Sequence, residues 1–227
     1  MPGASEVRVA FGGGGDADDE RAVLEAFSSW VGNGRLVYVP IALDSPHEPH
    51  LAWATAALGS VGITSIEMAA SADQLRDALS RADGVFIGGG NAYVLLHSLR
   101  NAGVDRLLRE YTERGRPMYG GSAGAIALGR DIGTARHADP DVLGLTDTSG
   151  LDLALGYAVW CHYVASDDAR IRDYVNETGH AVLAIPERGG LVRTAERIEV
   201  VGPDSARLFA TWSDRSLEPG DLVPVIA

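Results

Sequence analysis

The chain has a single cysteine, Cys161, too few for an internal disulfide or a cysteine-based zinc cluster, and the role expected of it is a small buried hydrophobe. Long apolar runs are missing as well: none approaches the roughly 18 residues that a membrane-spanning helix needs. The first residues, Met-Pro-Gly-Ala-Ser-Glu, lack the basic and apolar regions of an export signal, so a cytosolic location is expected. Positive charge is scarce. Lys and Arg together number 19 against 31 Asp and Glu, a net charge of −12. Such a surface repels phosphate backbones and anionic lipid, which are bound through clustered cations, so neither nucleic acid nor membrane is an expected partner.

What is present supports a folded core. Of 227 residues, 46% are hydrophobic, and one domain spanning 1–227 is the expected organisation. Short β-branched runs alternate with longer amphipathic stretches, which implies parallel strands joined by crossover helices. Strands are expected at 7–11, 36–41, 63–68, 85–87 and 117–119. Helices are expected from an acidic start at 16–20 to Trp30, over 49–58, from an N-cap at Ser71 to Arg81, onward from Ala92, and over 104–114. Residues 130–150 carry Asp, Pro, Gly and Thr without periodicity and read as a long loop. Beyond it, 155–161 and 181–185 look like strands and 167–178 like a helix. From Leu191 onward, short runs at 198–201, 207–210 and 222–226 suggest a more antiparallel ending.

The most informative segment is Tyr119-Gly120-Gly121-Ser122-Ala123-Gly124-Ala125, which places a serine among small residues where a strand should turn into a helix. That is the pattern of a nucleophile elbow. The serine of such a turn has a strained backbone, and small neighbours let strand and helix approach closely. The turn also aims helix N-terminal amides, Ala123's among them, at the place where an acyl oxyanion would form. The competing reading is a glycine-rich turn with an incidental serine. A second glycine turn, Gly88-Gly89-Gly90-Asn91, follows another expected strand and offers backbone N–H groups at the same sheet edge, which suits an oxyanion hole. It lacks the spacing of a dinucleotide fingerprint and the lysine of a phosphate loop. The run Gly12 to Gly15 is followed by Asp16, Asp18 and Asp19, whose carboxylates oppose phosphate.

With both motifs placed, the chain resembles the peptidase E family of serine peptidases, which includes aspartyl dipeptidases and, more distantly, the cyanophycinases. The resemblance rests on Gly-Gly-Gly-Asn at 88–91, Gly-Gly-Ser-Ala-Gly-Ala at 120–125, Trp160-Cys161-His162-Tyr163, and Ile185-Pro186-Glu187-Arg188-Gly189. It implies an α/β fold similar to the class I glutamine amidotransferases, a flavodoxin-like, mainly parallel sheet with helices on both faces and serine in place of their cysteine nucleophile. Carried over by position, Ser122 becomes the nucleophile, His162 the general base and Glu187 the acid that orients the imidazole. Asp139, in the long loop, is the alternative third group. The amides of Gly89 or Gly90 and of Ala123 would hold the oxyanion, and no metal or other cofactor is implied. The histidines His47, His50, His97, His137 and His180 are expected to be solvated or structural.

The expected substrate is a short peptide, contacted by Asn91, Asp167 and Arg170. Here the sequence departs from the aspartyl dipeptidase pattern, because Asp167 falls where the family's arginine pairs with an acidic side chain, and Arg170 follows only later. Removal of an N-terminal residue with a relaxed or non-acidic preference is the resulting expectation. Two alternatives stay open: a cyanophycinase-like isopeptide hydrolase, and a non-catalytic ligand-binding protein on the same scaffold. A homodimer is compatible with the pattern.

Overall fold

In the computed structural model, residues 6–43 and 46–226 are described. β1 (Arg8–Gly12), β2 (Leu36–Val39), β3 (Ile66–Met68), β4 (Gly84–Ile87) and β5 (Met118–Gly121) lie parallel, in the order β3-β2-β4-β5-β1. β2, β4 and β5 are buried at every position, as strands covered on both faces must be. The hairpin of β8 (Gly190–Thr194) and β9 (Arg197–Val201) extends the sheet antiparallel beside β1.

Because successive side chains of a strand point to opposite sides, each strand feeds two cores. Ala10, Tyr38, Phe86 and Tyr119 cluster with α1 (Arg21–Val31) and α2 (Glu48–Gly59). Val9, Phe11, Val39, Ile87 and Met118 cluster with α3 (Ala72–Leu79), α4 (Ala92–Asn101), α5 (Val104–Glu113) and α6 (Ala123–Leu128). The stripe Val23, Leu24, Phe27 and Val31 shows why α1 forms: these residues recur at helical spacing and are all buried. Each contributes roughly 1.5–3 kcal/mol by leaving water. Ser71 caps α3 as its sequence suggests, accepting from Gln74 N at 3.2 Å. Among the described residues no helix is long and apolar enough to cross a membrane.

A second sheet of four strands, β6 (Ala158–Trp160), β7 (Val182–Ala184), β10 (Ala206–Ala210) and β11 (Ser213–Leu217), has the order β11-β10-β7-β6. Val159, Leu183 and Leu208 on one face join the main core, while Trp160, Ala184 and Phe209 on the other pack under α7 (Asp168–Thr178). Three expectations are corrected. The acidic stretch 16–20 is a turn and α1 starts at Arg21, because Asp16 spends its carboxylate on the amides of Asp18 and Asp19 and Glu20 turns inward. The strand expected at 222–226 is reduced to one bridge between Glu199 and Leu222, and the polar stretch 213–217 forms the edge strand β11 instead. Within 130–150 a short 3-10 helix, Ile132–His137, is pinned by Asp131, which accepts from Gly133 N, Thr148 Oγ1 and Tyr174 Oη.

The contact that positions the site is between α6 and β4. A Cβ on Gly124 would lie 2.1 Å from the carbonyl oxygen of Ile87, so only glycine lets the helix seat itself there. Gly124→Val is expected to cost about 3 kcal/mol or more in urea denaturation. Gly59→Ala, at a position with nothing within 4 Å, should change stability by less than about 1 kcal/mol. Equal effects of the two substitutions would contradict the close approach.

Candidate active site

Ser122 occupies the single residue between β5 and α6, with φ 50° and ψ −114°. Such a conformation costs a non-glycine residue about 1–3 kcal/mol and persists only where the surroundings enforce it. They do so here. β5 is locked between β1 and β4, with Gly12 opposite Gly121 and Ile87 opposite Gly120, and the carbonyl of Ser122 already accepts from Ile126 N at 3.0 Å. Strand and helix leave the serine no other path, and its side chain is pushed out at the C-terminal edge of the sheet.

Parallel pairing brings the other two groups to that edge. β6 and β7 run side by side with Trp160 opposite Ala184, and the ladder continues through Ile185 N to Trp160 O at 2.8 Å and Tyr163 N to Ile185 O at 3.1 Å. His162 and Glu187 therefore leave adjacent strand ends together. The imidazole Nε2 lies 2.8 Å from Ser122 Oγ, and Nδ1 lies 3.0 Å from Glu187 Oε1. His162 also has a positive φ, 54°, and donates its backbone N–H to Gly13 O at 2.8 Å. The side chains of His162 and Glu187 are 47% and 59% exposed, so the site is an open surface and not a buried cleft.

The remaining predicted residues fall in varied places. Gly89 lies beside the serine: a Cβ there would be 3.4 Å from Ser122 Cβ. Among the described residues, no acceptor takes the amides of Gly89, Gly90 or Ala123. Asn91 caps α4, with Oδ1 accepting from Tyr93 N and Val94 N and Nδ2 donating to Pro140 O, so its side chain is committed to the fold. Asp139 accepts from Ala92 N at 2.8 Å, at the start of that same helix, and burial holds its carboxyl above the usual range. Glu187, not Asp139, is hydrogen-bonded to the imidazole. Asp167 is buried, accepting from Val164 N at 3.2 Å and from Arg170 Nη1 at 3.3 Å, while the arginine is two-thirds exposed. Cys161 sits behind the elbow against the carbonyls of Gly12 and Ser122, and burial pushes its thiol pKa far up, away from reactivity. His137 stacks on Trp160 with ring centroids 4.1 Å apart, His97 meets Asn101, and His180 meets Tyr174.

A comparison with protein families matches residues 9–201 to the model described as peptidase family S51. The chain belongs to peptidase family S51. It is 29% identical to a peptidase E of Streptomyces coelicolor over 185 residues, covering 77% of this chain and 74% of that one. It is 28% identical over 209 residues to a Drosophila melanogaster protein named "Probable alpha-aspartyl dipeptidase", covering 87% and 85%. Among solved structures, a peptidase from an acI-B1 Actinobacterium superposes with a TM-score of 0.74 over 97% of this chain and 96% of that one, at 17% identity, a likeness of fold.

One part of the candidate site in this S51 member escaped sequence reasoning. The run Gly12 to Gly15 ends β1 directly beside the elbow, and Glu20 lies under it with only 3% of its surface exposed. Its Oε1 accepts from Gly14 N at 2.7 Å, and its Oε2 accepts from the hydroxyl of Tyr119, itself fully buried. Four glycines at the mouth of a strand were the available signal, since they mark backbone that something must approach closely. Burial, set against the bonds from Tyr119 and Gly14, raises the Glu20 pKa from 4.5 to about 7. The folded protein thus holds this proton more tightly than the unfolded chain. The resulting contribution to stability is complete below pH 4.5 and is lost as pH rises to about 7. Relative to Glu20→Gln, which does not titrate, the native protein is expected to lose on the order of 3 kcal/mol between pH 4 and pH 8. A difference in denaturation free energy that stays constant across this range would contradict the assignment.

Proposed function

We propose that this chain is a serine peptidase that removes the N-terminal residue of short peptides, with Ser122 as nucleophile, His162 as general base and Glu187 as the acid that orients the imidazole. The observation that carries the reading is the bonded line from Ser122 Oγ through both ring nitrogens to Glu187 Oε1, at 2.8 and 3.0 Å. A carboxylate can only accept, so Nδ1 carries the ring proton and Nε2 is left free to accept the serine's. On attack at the peptide carbonyl, the Ser122 proton passes to Nε2 and the carbonyl oxygen becomes an oxyanion. The imidazolium then returns the proton to the departing amine, and water repeats the sequence on the acyl-enzyme. Amides of Gly89 or Gly90 and of Ala123 are the proposed oxyanion donors, each worth about 3–4 kcal/mol where such donors have been removed from comparable hydrolases.

The proposed preference at the N-terminal residue is relaxed or non-acidic. Asp167, buried beside the helix start, repels a second carboxylate, and Arg170 directs its charge at Asp167. The open surface around His162 and Glu187 suits short peptides that need no deep groove.

A dipeptide screen tests both parts. Ser122→Ala is expected to lower turnover by at least about 1,000-fold. For the wild type, kcat/KM on Met-Leu and Ala-Leu should equal or exceed that on Asp-Leu to within about tenfold, less than the loss that accompanies an unpaired buried charge. Undiminished turnover by Ser122→Ala would overturn the catalytic assignment, and a preference for Asp-Leu of about 100-fold would overturn the specificity.

A further inference from the structure

Glu20 is an expensive residue for a core. A carboxyl group removed from water is destabilising unless its bonds are replaced, and the charged groups that act on it, Asp19 and Asp16, have its own sign. Among the described residues it forms no ion pair, and its partner Tyr119 belongs to a hydrophobic cluster that includes Val23, Phe27 and Phe86. A leucine there would suit that cluster better, so the polar group calls for a role.

Its two oxygens join two parts of the site. One receives the hydroxyl of Tyr119, in β5 and three residues before Ser122; the other receives the amide of Gly14. The turn that Gly14 belongs to touches the rest of the proposed machinery. A Cβ on Gly14 would fall 2.3 Å from Cε1 and 2.4 Å from Nε2 of His162, so only a residue without a side chain fits beside the imidazole. Gly13 O accepts the His162 backbone amide at 2.8 Å, and a Cβ on Gly15 would fall 2.5 Å from the carbonyl oxygen of Glu187. Gly14 has φ 101°, which only glycine adopts readily, and a turn of glycines has little stiffness of its own. A fixed bond to its amide supplies what the sequence of the turn does not.

Resting on the reading of Ser122 and His162 as the reacting pair, we propose that Glu20 is a positioning residue, which through Tyr119 and Gly14 holds the Gly13 to Gly15 turn against the imidazole and keeps Nε2 in reach of the serine. Misplacement of a reacting group by about 1 Å can cost about 100-fold in rate, so the tie matters for kcat more than for substrate binding. Glutamine preserves it: its carbonyl oxygen accepts from Gly14 N, and its amide donates to the Tyr119 oxygen.

The test uses the full chain with Ala-Leu as substrate, alongside NMR of the His162 ring protons and nitrogens, which needs no turnover. Glu20→Ala is expected to lower kcat about 10- to 100-fold with KM changed by less than about threefold, and to broaden or shift the His162 Nδ1–H signal. Glu20→Gln should restore kcat to within about threefold of the wild type. Tyr119→Phe, which removes one of the two anchors and leaves the strand's apolar packing, should give an intermediate loss and remains decisive if Glu20→Ala does not fold. A folded Glu20→Ala variant, or Tyr119→Phe, with unchanged kcat and an unchanged ring signal would overturn the proposal, as would a Glu20→Gln variant no better than Glu20→Ala. Activity surviving in Ser122→Ala would instead remove the reading beneath it, while the ring signal would still report whether Glu20 holds the imidazole.

Discussion

A hydrogen bond of 2.8 Å between Ser122 and His162, 40 positions apart, is the interaction on which the arrangement depends, and it forms only because separate strands bring the two residues together. Two sheets have to present their strand ends at one place. β5 delivers the serine because β1 and β4 clamp it on both sides, and β6 delivers the imidazole because β7 runs parallel beside it. The backbone carbonyl of Gly13, at the mouth of β1, then receives the amide of His162 and joins the two systems. Positive φ at both Ser122 and His162 places local strain at this junction, stored in the fold that surrounds it.

Seen this way, the glycine runs share one physical cause. Those at 12–15, 88–90 and 120–121 lie at the C-terminal ends of neighbouring parallel strands, where Gly13, Gly15, Gly90 and Gly120 approach backbone closely and Gly14 approaches the imidazole. From the sequence, the third is legible as a strand-to-helix turn because a serine sits among its small residues, and the second is expected to supply oxyanion amides, with Asn91 expected to contact substrate, whereas in the fold Asn91 caps α4. The first was followed by four acidic residues that resemble a solvated helix start. Glu20 could not be told from its neighbours Asp16, Asp18 and Asp19 without knowing that Tyr119, 99 residues away, would meet it in the core.

Much of the large sheet was legible because its strands are continuous buried runs and its helices carry apolar stripes, as in α1 and α3. Local chemistry also revealed the elbow, since small residues flank the serine on both sides. The pairing of His162 with Glu187 was legible only through family resemblance: it follows from the register of β6 against β7, a property of two strands that no single segment encodes. Asp139 is the rival that the family resemblance offers from the long loop, yet a backbone amide at the start of α4 claims its carboxylate. At the other end of the chain, residues 222–226 looked like a strand because they are apolar, whereas β11 forms from Ser-Asp-Arg-Ser-Leu. An edge strand exposed to water can be polar, and its ladder with β10 decides the matter.

Activation of one serine hydroxyl by one imidazole is the central claim, and the rate of covalent labelling of Ser122 by a fluorophosphonate measures it without reference to any substrate. With the wild type and a folded His162→Ala variant compared at neutral pH, the expected result is labelling confined to Ser122 and slowed by at least about 1,000-fold when the imidazole is removed. Labelling at the same rate in both proteins, or at a serine other than Ser122, would contradict it.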